Sequence, residues 1–258
     1  MSVHEHGHQL GDHLYLHRHT PVHGLPAHVK LLTAFAFVVV VVATPVGAWW
    51  PFAGYAALVV AVLLWSRLPI RKVAPRLLLE LPFVGFAVLM PFVADGPKVE
   101  FVGLQLSELG LAAGATFIAK STLGVSVAVL ISATTTAGEI LKALAVLRVP
   151  NQLVQIASFM VRYSSVVTDE LRRMQVAWQA RGFTATGIRS WPTVARTAGA
   201  LFIRSYERGE RVHLAMMARG YRGEVDFGAA TAATAANWLG AAALPLTALS
   251  LLLLWRFL

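Results

Sequence analysis

The sequence predicts an all-α polytopic membrane protein. Three observations carry that reading. The chain of 258 residues is 57% hydrophobic, with a mean hydropathy of +0.63, whereas an ordinary soluble domain is about 45–50% apolar. The apolar residues are gathered into runs long enough to cross a bilayer. The basic residues are gathered into some of the intervening segments and nearly absent from others.

Residues 1–28 form a polar head with eight of the nine histidines: His4, His6, His8, His13, His17, His19, His23 and His28. No apolar central region interrupts it, so no cleavable signal peptide is expected and the first span serves as the insertion signal. Residues 29–133 are read as a transmembrane block. Span one runs from about Val29 to Thr44, and Pro45 and Gly47 make a short turn. Span two runs from about Ala48 to Trp65, with Trp49, Trp50 and Trp65 at its ends, where interfacial aromatics belong. Span three covers about Leu77 to Ala94 and span four about Leu109 to Ala133. A last apolar run, within residues 231–258, closes the chain.

Charge orients these spans. Arg67, Arg71, Lys72 and Arg76 follow span two, so that loop is cytoplasmic, whereas Asp95–Glu108 holds Lys98 alone against three acids and is external. The amino terminus and residues 134–230 then lie inside, the latter with 13 of the 22 lysines and arginines. The total is about five spans, or about six if the apolar stretch 150–168 enters the bilayer. With five, the carboxyl terminus is outside.

The interior segment reads as helices. Thr136 and Glu139 have capping-box spacing. Pro150 suits the first turn of a long helix, along which Leu153, Ile156, Met160, Tyr163, Val167, Leu171, Met174 and Trp178 recur at steps of three and four. Arg162, Asp169, Arg172 and Arg173 fall off that stripe. A second helix spans about Pro192 to Arg219, with a narrow face of Ala198, Leu201, Ser205, Gly209, Val212 and Met216. Small residues there allow close helix crossing.

Both helices end on the same tripeptide, Ala180-Arg181-Gly182 and Ala218-Arg219-Gly220. One Arg-Gly pair is an ordinary helix end, since a cation complements the macrodipole and glycine caps the last turn. Two identical copies in one cytoplasmic segment favour docking: a guanidinium presents a rigid fork of donors to carboxylates or carbonyls.

Other chemistry is thinly represented. Without cysteine there are no disulfides, thiolate metal sites or thiol nucleophiles. The net charge of +9 suits a cytoplasmic membrane face better than nucleic acid, because the arginines lack interleaved stacking aromatics. No phosphate-binding loop, nucleophile elbow or metalloprotease helix is present. The His4-x-His6-x-His8 spacing is a candidate site for Ni²⁺, Co²⁺ or Zn²⁺, against a plain polar tail. Lys120 in span four and Glu80 near the end of span three are intramembrane charges with a transport role or a structural pairing open to them. His213 is read as structural or partner-facing.

Leu147-Arg148-Val149-Pro150, Thr134-Thr135-Thr136, Arg162-Tyr163, Glu170, Phe202-Ile203-Arg204-Ser205, Arg208, Glu210, Ala215-Met216 and the two tripeptides, the second followed by Tyr221, resemble the transmembrane coupling (T) subunit of energy-coupling factor importers, cobalt/nickel type. The likeness is detailed over residues 109–221 and covers the whole chain in layout. It implies a non-catalytic subunit with two long cytoplasmic coupling helices in 134–230, whose ends engage two ATP-binding-cassette subunits through Ala180, Arg181, Gly182, Ala218, Arg219 and Gly220. The partners hold the ATP, and this chain needs no cofactor. A small substrate-capture membrane subunit would pack on Leu153, Ile156, Met160, Val167, Leu171, Met174, Ser205, Gly209 and Met216. The expected cargo is a divalent metal, cobalt ahead of nickel, in the inner membrane. The alternatives are a vitamin as cargo, a self-contained metal permease using the histidine head, and a membrane enzyme.

Overall fold

The computed structural model describes residues 20–67, 78, 80–94, 97–101, 104–183, 187, 190–225, 228 and 231–257. These fall into two compact units, one drawn from residues 144–229 and one from 14–143 with 230–258.

The second of these is a helical bundle. Its elements are α1 (Pro21–Gly24), α2 (Ala27–Ala43), α3 (Trp49–Trp65), α4 (Leu81–Val93), α5 (Glu108–Thr134), most of α6 (Ala137–Val146) and the final helix, α9 (Ala235–Phe257). At 27 residues α5 is roughly 40 Å long, and at 23 residues α9 is roughly 35 Å. Both are long and apolar enough to cross a membrane, while α2, α3 and α4 are shorter apolar helices. The five apolar helices follow the five predicted runs, with ends shifted by a few residues.

One described element departs from helix. Lys98–Phe101 (β1) and Leu104–Ser107 (β2) form an antiparallel hairpin, Lys98 opposite Ser107 and Phe101 opposite Leu104. The charge pattern predicts only an external loop over Asp95–Glu108. Lys-Val-Glu-Phe and Leu-Gln-Leu-Ser both alternate polar and apolar residues, which is a strand signal.

Phe37 and Val41 of α2, Phe52, Tyr55 and Val59 of α3, Leu123 and Val127 of α5 and Ala248 of α9 make the core. Tyr55 is fully buried, and its ring meets Phe37 edge-on at 6.0 Å and Phe52 at 5.9 Å. Its hydroxyl is satisfied by the Thr44 hydroxyl at 3.2 Å. Lipid tails are as apolar as these side chains, so close packing and hydrogen bonds do more here than burial from water.

A close backbone contact joins α4 to α5. A Cβ on Gly110 would lie 2.6 Å from Pro91 Cα, and one on Gly114 would lie 2.7 Å from the Ala87 carbonyl oxygen. Gly110 and Gly114 therefore form a Gly-xxx-Gly seam against the α4 backbone.

The two intramembrane charges are paired within the bundle. Lys120 donates to the Val42 carbonyl at 2.8 Å, in the last turn of α2. Glu80 is buried and accepts from Ser121 at 2.8 Å and from Thr122.

The other unit holds α7 (Asn151–Ala180) and α8 (Trp191–Ala218). The predicted helix starts are in place in both units. Thr136 N–H donates to Glu139 at 2.9 Å, and Glu139 N–H to the Thr136 hydroxyl at 3.3 Å, which is the capping box that opens α6. Pro150 precedes α7, and Pro192 lies in the first turn of α8.

Candidate functional site

Both Arg-Gly ends have one geometry. At the end of α7, the Gly182 N–H donates to the Gln179 carbonyl and the Phe183 N–H to the Trp178 carbonyl, each at 3.0 Å. At the end of α8, Gly220 N–H donates to Met217 and Tyr221 N–H to Met216, again at 3.0 Å. This double bond pattern is a Schellman cap. It needs a left-handed residue just past the helix, and Gly182 and Gly220 supply φ of +70° and +87°. An apolar contact completes the first cap, Trp178 meeting Phe183 edge-on at 6.1 Å.

The cap decides where each arginine stands. Arg181 and Arg219 occupy the last half-helical position, with φ/ψ of −92°/13° and −95°/12°. Both are exposed, as are Ala180, Gly182, Ala218 and Gly220. Each guanidinium is thus carried on a defined backbone exit while its fork of donors faces outward.

A third Schellman cap closes α6. Arg148 N–H donates to Ala145 and Val149 N–H to Leu144, each at 3.1 Å. Here Arg148 itself takes the left-handed position, at φ +60°, where glycine stands in the other two. Left-handed backbone costs a non-glycine residue about 1–2 kcal/mol.

The helix faces divide. Val167 of α7 and Ser205, Gly209 and Met216 of α8 line a cleft of about 300 Å³ with Phe159, Tyr163 and Tyr221. Leu171 and Met174 are half-buried, but Leu153, Ile156 and Met160 stand exposed at the start of α7. The single stripe read from periodicity is therefore split between a lined cleft and an open apolar face. On α8, Phe202, Ile203, Tyr206, Leu214 and Met217 are exposed as well, with Phe202 and Tyr206 stacked at 6.5 Å. Apolar surface of this extent marks a face that a partner or lipid covers. His213 lines the cleft edge-on to Tyr221 at 6.3 Å.

Two ties between α7 and the α8 end were not read from the sequence. Gln155 is buried; its Nε2 donates to the Gly223 carbonyl at 2.9 Å, and its Oε1 accepts from the Tyr221 hydroxyl at 2.7 Å. One amide thus holds the segment that leaves the second cap. Farther along, Glu170 accepts from Arg173 at 2.7 Å and from Arg204 of α8. Those hydrogen bonds, Arg173 first, hold its carboxyl below the ordinary glutamate range. Glu170 and Arg173 are three apart on one helix, a readable spacing, but nothing local marks Arg204 as the second partner.

His4, His6 and His8 lie outside the described residues. Among the described residues no three His, Cys, Asp or Glu gather closely enough to hold a metal ion.

Comparison with known proteins places the chain. The family model of CbiQ, a cobalt transport protein, matches residues 18–227. The chain is 28% identical over 204 residues to the cobalt transport protein CbiQ of Rhodobacter capsulatus, covering 78% of this chain and 80% of that one. It is 26% identical over 226 residues to the energy-coupling factor transporter transmembrane protein EcfT of Listeria innocua, covering 81% and 83%. An uncharacterized protein of Methanocaldococcus jannaschii is 26% identical over 229 residues, covering 84% and 78%.

Proposed function

The chain belongs to the CbiQ cobalt transport family as a transmembrane component of the energy-coupling factor type, and from that premise we propose that it is the non-catalytic subunit that passes motion from ATPases to a separate substrate-capture membrane protein. The observation that carries this is the duplicated cap: two long helices in one unit end in the same hydrogen-bond pattern, each with an exposed arginine at the same backbone position. Arg181 and Arg219 each grip one ATP-binding-cassette subunit. ATP bound by those partners draws them together, and its hydrolysis lets them part.

α7 and α8 are the levers. Gln155 and the Glu170–Arg204 pair tie them to each other, so a pull at one arginine is felt by both. The exposed faces around Leu153, Ile156 and Met160 and around Phe202 and Tyr206 meet the capture subunit and the membrane surface. A partner shifts the lever only by binding its two positions with different strength. The apolar helices span the membrane about five times, with the amino terminus and both levers cytoplasmic.

The cargo is a divalent metal ion, cobalt ahead of nickel. The family description and the Rhodobacter relative, both named for cobalt transport, support cobalt over a vitamin. A self-contained permease acting through His4, His6 and His8 is the competing reading, and deleting residues 2–24 separates the two: the permease loses transport, the coupling subunit keeps it.

The direct test replaces Arg181 and Arg219 by Glu, singly and together, and measures ATPase copurification and metal uptake. Each single variant is expected to weaken copurification at least tenfold, the range for losing a charge-assisted contact, and the double to abolish uptake. Undiminished copurification and uptake in the double variant would refute docking through these ends.

A further inference from the structure

The bundle contains a second cleft, of about 250 Å³, that the coupling role does not use. Its walls come from the first two turns of α2, the second and third turns of α9 and the last two turns of α3 and α5, so it lies toward one end of the bundle, and α1 lies along it. By the loop charges this is the cytoplasmic end. The lining is almost wholly apolar, including Leu25, Val62, Val127 and Leu244, with Trp65 exposed among it.

Lys30 breaks the apolar lining. Its ammonium donates to the His23 carbonyl at 3.1 Å and to the Thr134 carbonyl at 3.0 Å, at the ends of α1 and α5. An ammonium has three N–H groups, so two are placed and one remains. No carboxylate makes an ion pair with Lys30 among the described residues. Glu139 is near enough for its charge to act on Lys30 but makes no ion-pair contact with it.

An apolar slot at the leaflet boundary, with one cation that no carboxylate of the described residues contacts directly, suits one kind of molecule. A soluble phosphate would satisfy Lys30 and leave the slot empty. A zwitterionic lipid would fill the slot but bring its own cation to Lys30. We propose that this cleft holds an acyl chain of an anionic phospholipid from the cytoplasmic leaflet, with the lipid phosphate accepting the third N–H of Lys30. The inference rests on the membrane placement of the bundle and not on the docking of Arg181 or Arg219.

The test is native mass spectrometry of the full-length protein in detergent, with phosphatidylglycerol and phosphatidylcholine of identical chains. The wild type is expected to retain phosphatidylglycerol roughly fivefold over phosphatidylcholine. Lys30→Met is expected to retain the two equally, Lys30→Arg to keep the preference, and Ala241→Phe, which fills the slot, to lose both. If Lys30→Met does not fold, the wild-type preference and the Ala241→Phe result decide. Equal retention by the wild type overturns the proposal, as does unchanged retention by folded Ala241→Phe or unchanged preference in folded Lys30→Met. Displacement of the lipid by excess inorganic phosphate assigns the site to a soluble anion and also overturns it. ATPase copurification is read in the same preparations, so loss of lipid preference and loss of docking are scored apart.

Discussion

The phenol of Tyr221 donates to Gln155 Oε1 at 2.7 Å, joining residues 66 positions apart. Tyr221 is the residue whose amide closes the second Schellman cap, so this bond ties the seat of Arg219 to the start of the first lever. Replacing Gln155 by Leu removes both of its hydrogen bonds and leaves the Gly223 carbonyl and the Tyr221 hydroxyl without them. The expected loss is about 1–3 kcal/mol, read as a lower thermal midpoint. Tyr221→Phe removes one bond and should cost less. In a pull-down, Gln155→Leu should weaken the ATPase contact at Arg219 more than that at Arg181, measured against single Arg→Glu backgrounds.

The Glu170 carboxyl is held below its ordinary value by Arg173 and Arg204. A depressed value in the folded state means stabilisation that is present above the unfolded value, about 4.3 for glutamate, and is lost as pH falls through the folded one. Glu170→Gln should therefore loosen α7 from α8 at neutral pH, while wild type and variant converge only once pH has fallen below the depressed folded value. The distance between spin labels placed on the two helices reads this at both pH values. Equal distances in wild type and variant at pH 7 would count against the pair as an interhelix tie.

Gly182 and Gly220 hold positive φ with open space where a Cβ would stand. Alanine at either position should cost about 1 kcal/mol through backbone strain alone. Because the strain falls on the arginine's exit, copurification of the ATPase should drop although Arg181 and Arg219 are unchanged. Gly199, in mid-α8 and also in open space, is the control; Gly199→Ala should be neutral or slightly stabilising.

Arg148 is the mirror case. Arg148→Gly relieves a left-handed residue and keeps the cap, so the thermal midpoint should rise by the equivalent of about 0.5–1 kcal/mol. A fall would show that its side chain makes a contact worth more than the strain.

At the α4–α5 seam, a Cβ on Gly114 would meet a backbone oxygen that has nowhere to move. Gly114→Leu should separate the two helices and cost about 1–3 kcal/mol or more, seen as aggregation on heating in detergent. Gly124→Leu, on the same helix with nothing within 4 Å, should leave the midpoint nearly unchanged.

Much of this was legible in the chain. Runs of apolar residues mark α2, α3, α4, α5 and α9, and Arg-Gly after a stripe of threes and fours marks the ends of α7 and α8. The capping box at Thr136 and Glu139 and the proline starts of α7 and α8 were readable for the same reason: each depends on residues within one turn. The hairpin at 98–107 was missed because two four-residue alternations are a weak signal beside the flanking spans.

Sequence alone settled which segments are helical, to within a few residues where they stop, and that an arginine stands at the ends of α7 and α8, because those choices are made by backbone bonds over three to five residues. Only the tertiary structure decided that Gln155 meets Tyr221, that Glu170 takes Arg204, that Gly114 faces Ala87 and that Lys30 meets the carbonyl of Thr134. Those pairings depend on how far one helix slides and turns against another, and a periodic apolar stripe fits its neighbour at several such offsets. The choice among offsets falls to the few polar and small residues whose contacts can be satisfied in one of them.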